Sequence, residues 1–140
     1  MTAKKRIVLI SCVSKKLFRP APARNLYVSS LFKLSLQYAE RLAPDAIFIL
    51  SAKYGLLTLD RKIEPYNQTL LKMRDHEVKA WADRVLEQIK AAVPIDGSEF
   101  IFLAGSKYRK YLMPYMPHHV IPLKGLPIGK QLKKLKALTS

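Results

Sequence analysis

The sequence predicts an α/β fold, a single three-layer domain over residues 1–140 with a mainly parallel sheet of about four strands flanked by helices. Apolar, β-branched runs of strand length recur along the chain. Segments with helical periodicity separate them, and alternation of that kind is the signature of parallel strands joined by right-handed crossovers. The apolar fraction of 49% over 140 residues is enough for a packed core.

"RIVLIS" (6–11) is a short β-branched run ending at polar residues, as expected of a strand buried on both faces. "LYVSSLFKLSLQYAERL" (26–42) sets Leu31, Phe32, Leu34 or Ser35, Tyr38, Ala39 and Leu42 on one side of a helix. "AIFILSA" (46–52) is a second buried strand. "DHEVKAWADRVLEQIKAAV" (75–93) opens with acids, closes toward Lys90, and aligns Val78, Trp81 or Ala82, Val85, Leu86 and Ile89; Pro94 and Gly97 stop it. "EFIFLAG" (99–105) is the third strand, followed by a short helix in "SKYRKYLMPYM" that ends by Pro114. "HHVIPL" (118–123) is the fourth, and "GKQLKKLKAL" (129–138) a basic helix with Leu132, Leu135 and Leu138 on its apolar side.

Charge narrows the function. The 25 Lys+Arg exceed the 10 Asp+Glu for a net +15, and every acid lies between Glu40 and Glu99. Both flanks, from Lys4 to Lys33 and from Lys107 to Lys136, are purely basic. Such flanks call for an anionic partner, and nucleic acid or a nucleotide, DNA or RNA, is the expected one. The single cysteine, Cys12, excludes an internal disulfide and a Cys-rich zinc site and suits the cytoplasm. The apolar run after the charged start is about six residues, too short for a signal peptide or a membrane span, so no membrane partner is expected.

In a parallel sheet the C-terminal ends of the strands share one edge, where ligands bind. Four loops leave that edge, "SCVSKKLFRPAPARN", "SAKYGLL", "AGSKYRK" and "PLKGLPIG", and each carries a lysine near its strand: Lys15 or Lys16, Lys53, Lys107 and Lys124. Ser11, Cys12, Ser51, Gly55 and Gly105 beside them suit close approach of backbone N–H groups to a phosphate. Tyr54, Tyr66 and Tyr108 are candidate stacking platforms for a base. No GxGxxG or P-loop pattern follows the first strand. His76, His118 and His119 lack metal-ligand spacing, and neither a metal nor a cofactor is expected. Cys12 stands where lysines could lower its pKa, but no histidine base is expected near it.

The long connection "LSAKYGLLTLDRKIEPYNQTL" (50–70) fits neither helix nor strand. Connections of that length in compact domains are generally functional or disordered, and its Pro, Tyr and apolar pairs disfavour disorder, so it is expected to wall a ligand site. Glu64 within it is the candidate catalytic carboxylate, placed to orient a ribose hydroxyl or to serve as a general base or nucleophile at a glycosidic carbon; the alternative is pairing with Lys53 or Arg61 to hold the loop.

"ILSAKYGLL" followed by "IEPYNQTL" resembles the core segment of the YaaA peroxide-stress proteins, and more closely a small uncharacterised family related to them. The matching residues are Ser11-Cys12 with Lys15-Lys16, Ala23 to Phe32, Ser51 to Leu57, Ile63 to Leu70, and Pro122 to Leu132. The resemblance implies an α/β fold akin to the uracil-DNA-glycosylase superfamily, DNA binding across the strand-end edge, and a link to DNA damage or oxidative stress. "PLKGLPIG" stands in the last loop without a histidine. Two further readings accompany binding: an enzyme acting on a nucleobase or N-glycosidic bond, and a basic protein–RNA or protein–protein interaction module.

Overall fold

The computed structural model describes residues 4–11 and 15–140. The central strand β1 (Lys5–Ser11) lies between β3 (Ala46–Ser51) and β6 (Ser98–Leu103), and both pairings are parallel. Ile7, Val8, Leu9 and Ile10 have no exposed surface, which is why this run is continuously apolar rather than alternating. β4 (Gly55–Thr58) adds antiparallel to β3 at one edge, and the short β7 (His119–Val120) adds parallel to β6 at the other. Among the described residues the order is β4-β3-β1-β6-β7, a single α/β domain with a five-stranded, mostly parallel sheet.

The chain passes from β1 to β3 through α2 (Ser30–Arg41), then from β3 back across β1 to β6 through α3 (Asp75–Ala92). These crossovers run in opposite directions along the sheet. Right-handedness therefore puts α2 and α3 on opposite faces. The C-terminal helix α5 (Ile128–Thr139) packs along α2. Trp81 of α3 donates from its indole Nε1 to the Ser51 carbonyl at 2.9 Å, fastening that helix to the end of β3.

The sequence reads one helix over 26–42, but the chain forms α1 (Ala23–Leu26) and α2 with an extended break at Tyr27 to Ser29. Tertiary pairing overrides local propensity here. Leu17 N–H donates to the Leu26 carbonyl and Val28 N–H to the Lys15 carbonyl, so the backbone that would continue the helix is bonded to the preceding loop. Ser29 then starts α2 as its N-cap, accepting from Phe32 N–H at 3.2 Å. The fourth strand expected over 118–123 is shorter, because Pro122 cannot donate to a ladder and the chain turns away after Val120.

The connection after β3 is ordered throughout. It makes the hairpin to β4, then β5 (Lys62–Ile63), which pairs antiparallel with β2 (Ala21–Pro22), then a 3-10 turn at Leu70–Lys72. Gly55 opens β4 at φ +75°, in the left-handed region. A β-carbon there would stand 2.3 Å from Gln88 Oε1, the atom that accepts Leu56 N–H at 2.9 Å. At the start of α3, Asp75 accepts from the Tyr111 hydroxyl and lies 3.4 Å from Lys110 Nζ. The hydrogen bond from Tyr111 holds the Asp75 carboxyl below its ordinary range, and the same bond raises Tyr111.

Gly55→Ala is expected to keep the fold and lose about 1–3 kcal/mol, from left-handed backbone strain and displacement of Gln88, read as a lower urea midpoint. A second expectation concerns pH. A lowered Asp75 stabilises the fold fully above about pH 4, and that contribution is lost as pH falls through its folded pKa. A raised Tyr111 contributes fully below about pH 10 and loses its effect as pH rises through its folded pKa. Tyr111→Phe should therefore be less stable than the parent by a constant amount between about pH 5 and 9, with the gap closing below pH 4. A gap that persists when the carboxyl is protonated would assign the loss to packing.

Candidate nucleic-acid interface and strand-end cavity

α2 and the segment after β6 leave the sheet toward opposite faces, so a crevice opens between the ends of β1 and β6, the position where open α/β sheets bind ligands. A hydrogen bond from Gly105 N–H to Ser11 Oγ, at 3.1 Å, joins the two strand ends. Above it lies a cavity of about 440 Å³ walled by α2, by the loop and short helix α4 (Ser106–Arg109) after β6, by the loop after β7, and by the start of α5. Its walls are largely apolar, with Phe32, Phe102, Ile121 and Leu126 among them. The polar side chains in the lining include Ser11, Ser29, Ser35, Ser106, Lys107 and Arg109.

A second, more open cleft of about 760 Å³ adjoins the cavity across Leu71, which lines both and is 58% exposed. Lys15 and Lys16 come from the loop after β1, Tyr66 and Asn67 from the long connection, and Lys72 from the 3-10 turn. Lys16 Nζ stands 4.5 Å from the centre of the Tyr66 ring and 5.8 Å from that of Tyr27. Phe18, on the same wall, is fully exposed at 104%. Neither the cleft nor the cavity has a carboxylate or imidazole in its lining among the described residues.

The predicted site residues fall into three groups. Ser11, Gly105, Lys107 and Tyr108 line the cavity, and Lys15, Lys16 and Tyr66 line the cleft. Several of them serve packing as well. Lys107 Nζ donates to the carbonyls of Leu70, Leu71 and Met73 at 3.3–3.4 Å, holding the 3-10 turn as a wall between the two recesses. The Tyr108 ring is buried edge-on against Trp81, and its hydroxyl accepts Leu70 N–H, so it offers no stacking face. Tyr66 is also buried, with its hydroxyl 2.5 Å from that of Tyr27.

The residues at the end of β3 take no part in either recess. Ser51 is fully buried and its hydroxyl accepts Tyr54 N–H at 3.0 Å. Tyr54 packs edge-on against Tyr66, lies beneath Lys53 and Arg61, and accepts Glu64 N–H through its hydroxyl. Gly55 serves the hairpin. Glu64 is exposed and lines neither recess, and Lys124 is exposed on the loop after β7, also outside them. The β3 end closes into a hairpin whose polar groups satisfy one another, so ends β1, β6 and β7, rather than all four, shape the recesses. Cys12 lies outside the described residues.

Ser29, Ser35, Arg109, Asn67, Lys72 and Phe18 also line the recesses without having been singled out from the sequence. Ser35 carried a signal, since it stands on the apolar side of a helix where its neighbours are Leu and Phe. Phe18, an aromatic flanked by Lys16 and Arg19, carried another.

Lys107→Met is expected to free the Leu70–Lys72 turn. Limited proteolysis should cut there faster while far-ultraviolet circular dichroism stays unchanged; an unaltered cleavage rate would show that the three carbonyl contacts do not hold the turn.

No curated protein and no solved structure matches this chain. A family of unknown function, DUF6884, matches residues 7–137, which span β1 to α5, and the chain belongs to that family.

Proposed function

We propose that the protein binds nucleic acid, or a nucleotide as its smallest unit, in the cleft beside the strand-end cavity. The observation that carries this reading is a cleft with Lys15, Lys16 and Lys72 in its lining and no carboxylate facing them among the described residues, with the exposed ring of Phe18 on its wall. Lys15 and Lys72 are exposed and form no ion pair among the described residues, whereas five of the ten acids pair elsewhere: Asp60 and Glu40 with Arg24, Glu99 with Arg6, Glu87 with Lys90, and Asp75 with Lys110.

Lysines in such a cleft displace the counterions condensed on the phosphates, and their release is the main source of affinity for a sequence-tolerant partner. Phe18 offers a free face on which an unpaired base can stack, so single-stranded segments suit the site better than a closed duplex. Capture is electrostatic, and the net charge of +15 steers the encounter. The resemblance to the YaaA-related proteins adds DNA damage or oxidative stress as the setting, and the single cysteine suits the cytoplasm as the place. Of the enzymatic readings, cleavage at a glycosidic bond by Glu64 has no support in the geometry, because that carboxylate is away from both recesses.

Fluorescence anisotropy with single-stranded DNA, single-stranded RNA, duplex DNA and mononucleotides over about 50–300 mM salt tests the reading. Affinity should fall steeply with salt and be highest for single strands. Lys16→Ala and Lys72→Ala should each weaken binding uniformly across sequences and lower the salt slope by about one. Phe18→Ala should weaken single strands more than duplex. Salt-independent binding would overturn the proposal. So would binding lost only when Lys130, Lys133 and Lys136 of α5 are replaced, which would instead assign the contact to a basic helix surface.

A further inference from the structure

We infer that the strand-end cavity is a separate binding site for a small, largely apolar molecule carrying one anionic group, of the class of aromatic carboxylates. Its volume of about 440 Å³ is in the range of small-molecule sites, about 300–1,000 Å³. The apolar walls would not by themselves distinguish a ligand site from a packing fault. Two polar groups do. Ser35, on α2, is 3% exposed and lines the cavity, placing a hydroxyl on an otherwise largely apolar wall. Arg109, on the facing wall, donates from Nη1 to the Ala104 carbonyl at 2.7 Å, while its Nε is buried with no partner among the described residues.

Buried donors in native folds are rarely left unpaired, and a guanidinium N–H is among the most costly to leave so. The charge makes the case more specific. No carboxylate lines the cavity among the described residues, and the other cation there, Lys107, already has its ammonium directed to three backbone carbonyls. Arg109 therefore carries a positive charge into an apolar recess without a counter-charge in the protein. A ligand with a carboxylate or similar anion supplies the counter-charge that the guanidinium lacks. Its apolar body would lie against Phe32, Phe102 and Leu126, with the Ser35 hydroxyl available to a polar substituent. This inference does not rest on nucleic-acid binding, and either can fail without the other.

The test uses the full chain and a matched pair of probes, 2-naphthoate and the neutral 2-naphthylmethanol, followed by calorimetry and by amide chemical-shift mapping, with adenosine and thymidine as further probes. The naphthoate should bind once per chain, shift the amides of Gly105, Ser106 and Ser35, and bind about tenfold or more tightly than the alcohol. Arg109→Gln should reduce that preference to near parity. Leu126→Trp, a filling substitution on the partly exposed loop after β7, should abolish binding of both probes with the amide spectrum of the fold retained. Equal affinity for acid and alcohol, retention of the preference in Arg109→Gln, or shifts confined to residues outside the cavity would each overturn the inference. Adenosine or thymidine binding at the same amides more tightly than the naphthoate would overturn it too, assigning the cavity to a neutral base.

Discussion

Complete burial of Ile7 to Ile10 on both faces of β1 is the constraint on which the other features depend. A strand with no exposed face needs a helix above and a helix below. Because both crossovers are right-handed, that need is met only if α2 and α3 leave the sheet in opposite directions, with β3 and β6 on either side of β1. The loops at the ends of β1 and β6 then diverge. The opening between them is a by-product of how the core is covered, and the cavity above Ser11 and Gly105 occupies it.

The long connection between β3 and α3 makes sense against that geometry. Its first half is a hairpin set by Gly55, and its second half returns beside the loop after β1 through the β2 and β5 pairing. Tyr27, Tyr54 and Tyr66 form a chain of edge-on contacts that joins the two loops, with Lys16 over one ring and Arg61 over another. Edge-on aromatic contacts of this kind each add roughly 0.5–1.5 kcal/mol beyond the area they bury. The tyrosines fasten the cleft wall, leaving Phe18 as the exposed ring.

Lysines at one sheet edge have different roles according to what surrounds them. Lys107 is a cross-link between α4 and the 3-10 turn, Lys53 lies over Tyr54, and Lys15 and Lys72 face an open cleft. An ammonium already directed to three carbonyls has few protons left for a phosphate, whereas an exposed one keeps all three. The cleft and the cavity share Leu71 but differ in chemistry: one is more open and cationic, the other more enclosed and largely apolar, with Lys107 already directed to backbone carbonyls and Arg109 without a counter-charge in the lining.

The sequence by itself determined the fold class, the three inner strands, α3 nearly to the residue and the amphipathic C-terminal helix, because those elements are written in local periodicity and in Pro and Gly stops. It also determined the charge asymmetry and the edge of the sheet to which Ser11, Lys15, Lys16, Gly105 and Lys107 belong. What only the tertiary structure decided is how those groups are used. Nothing local in "SAKYGLL" shows that Ser51 and Tyr54 bond to neighbours within the hairpin, and nothing in "LYVSSLF" shows that pairing with residues 15–17 interrupts the helix. Arg109 and Ser35 became candidates only when folding brought them to one cavity and left Arg109 Nε buried without a partner among the described residues, since satisfaction of a hydrogen bond is a property of the packed neighbourhood and not of the residue type.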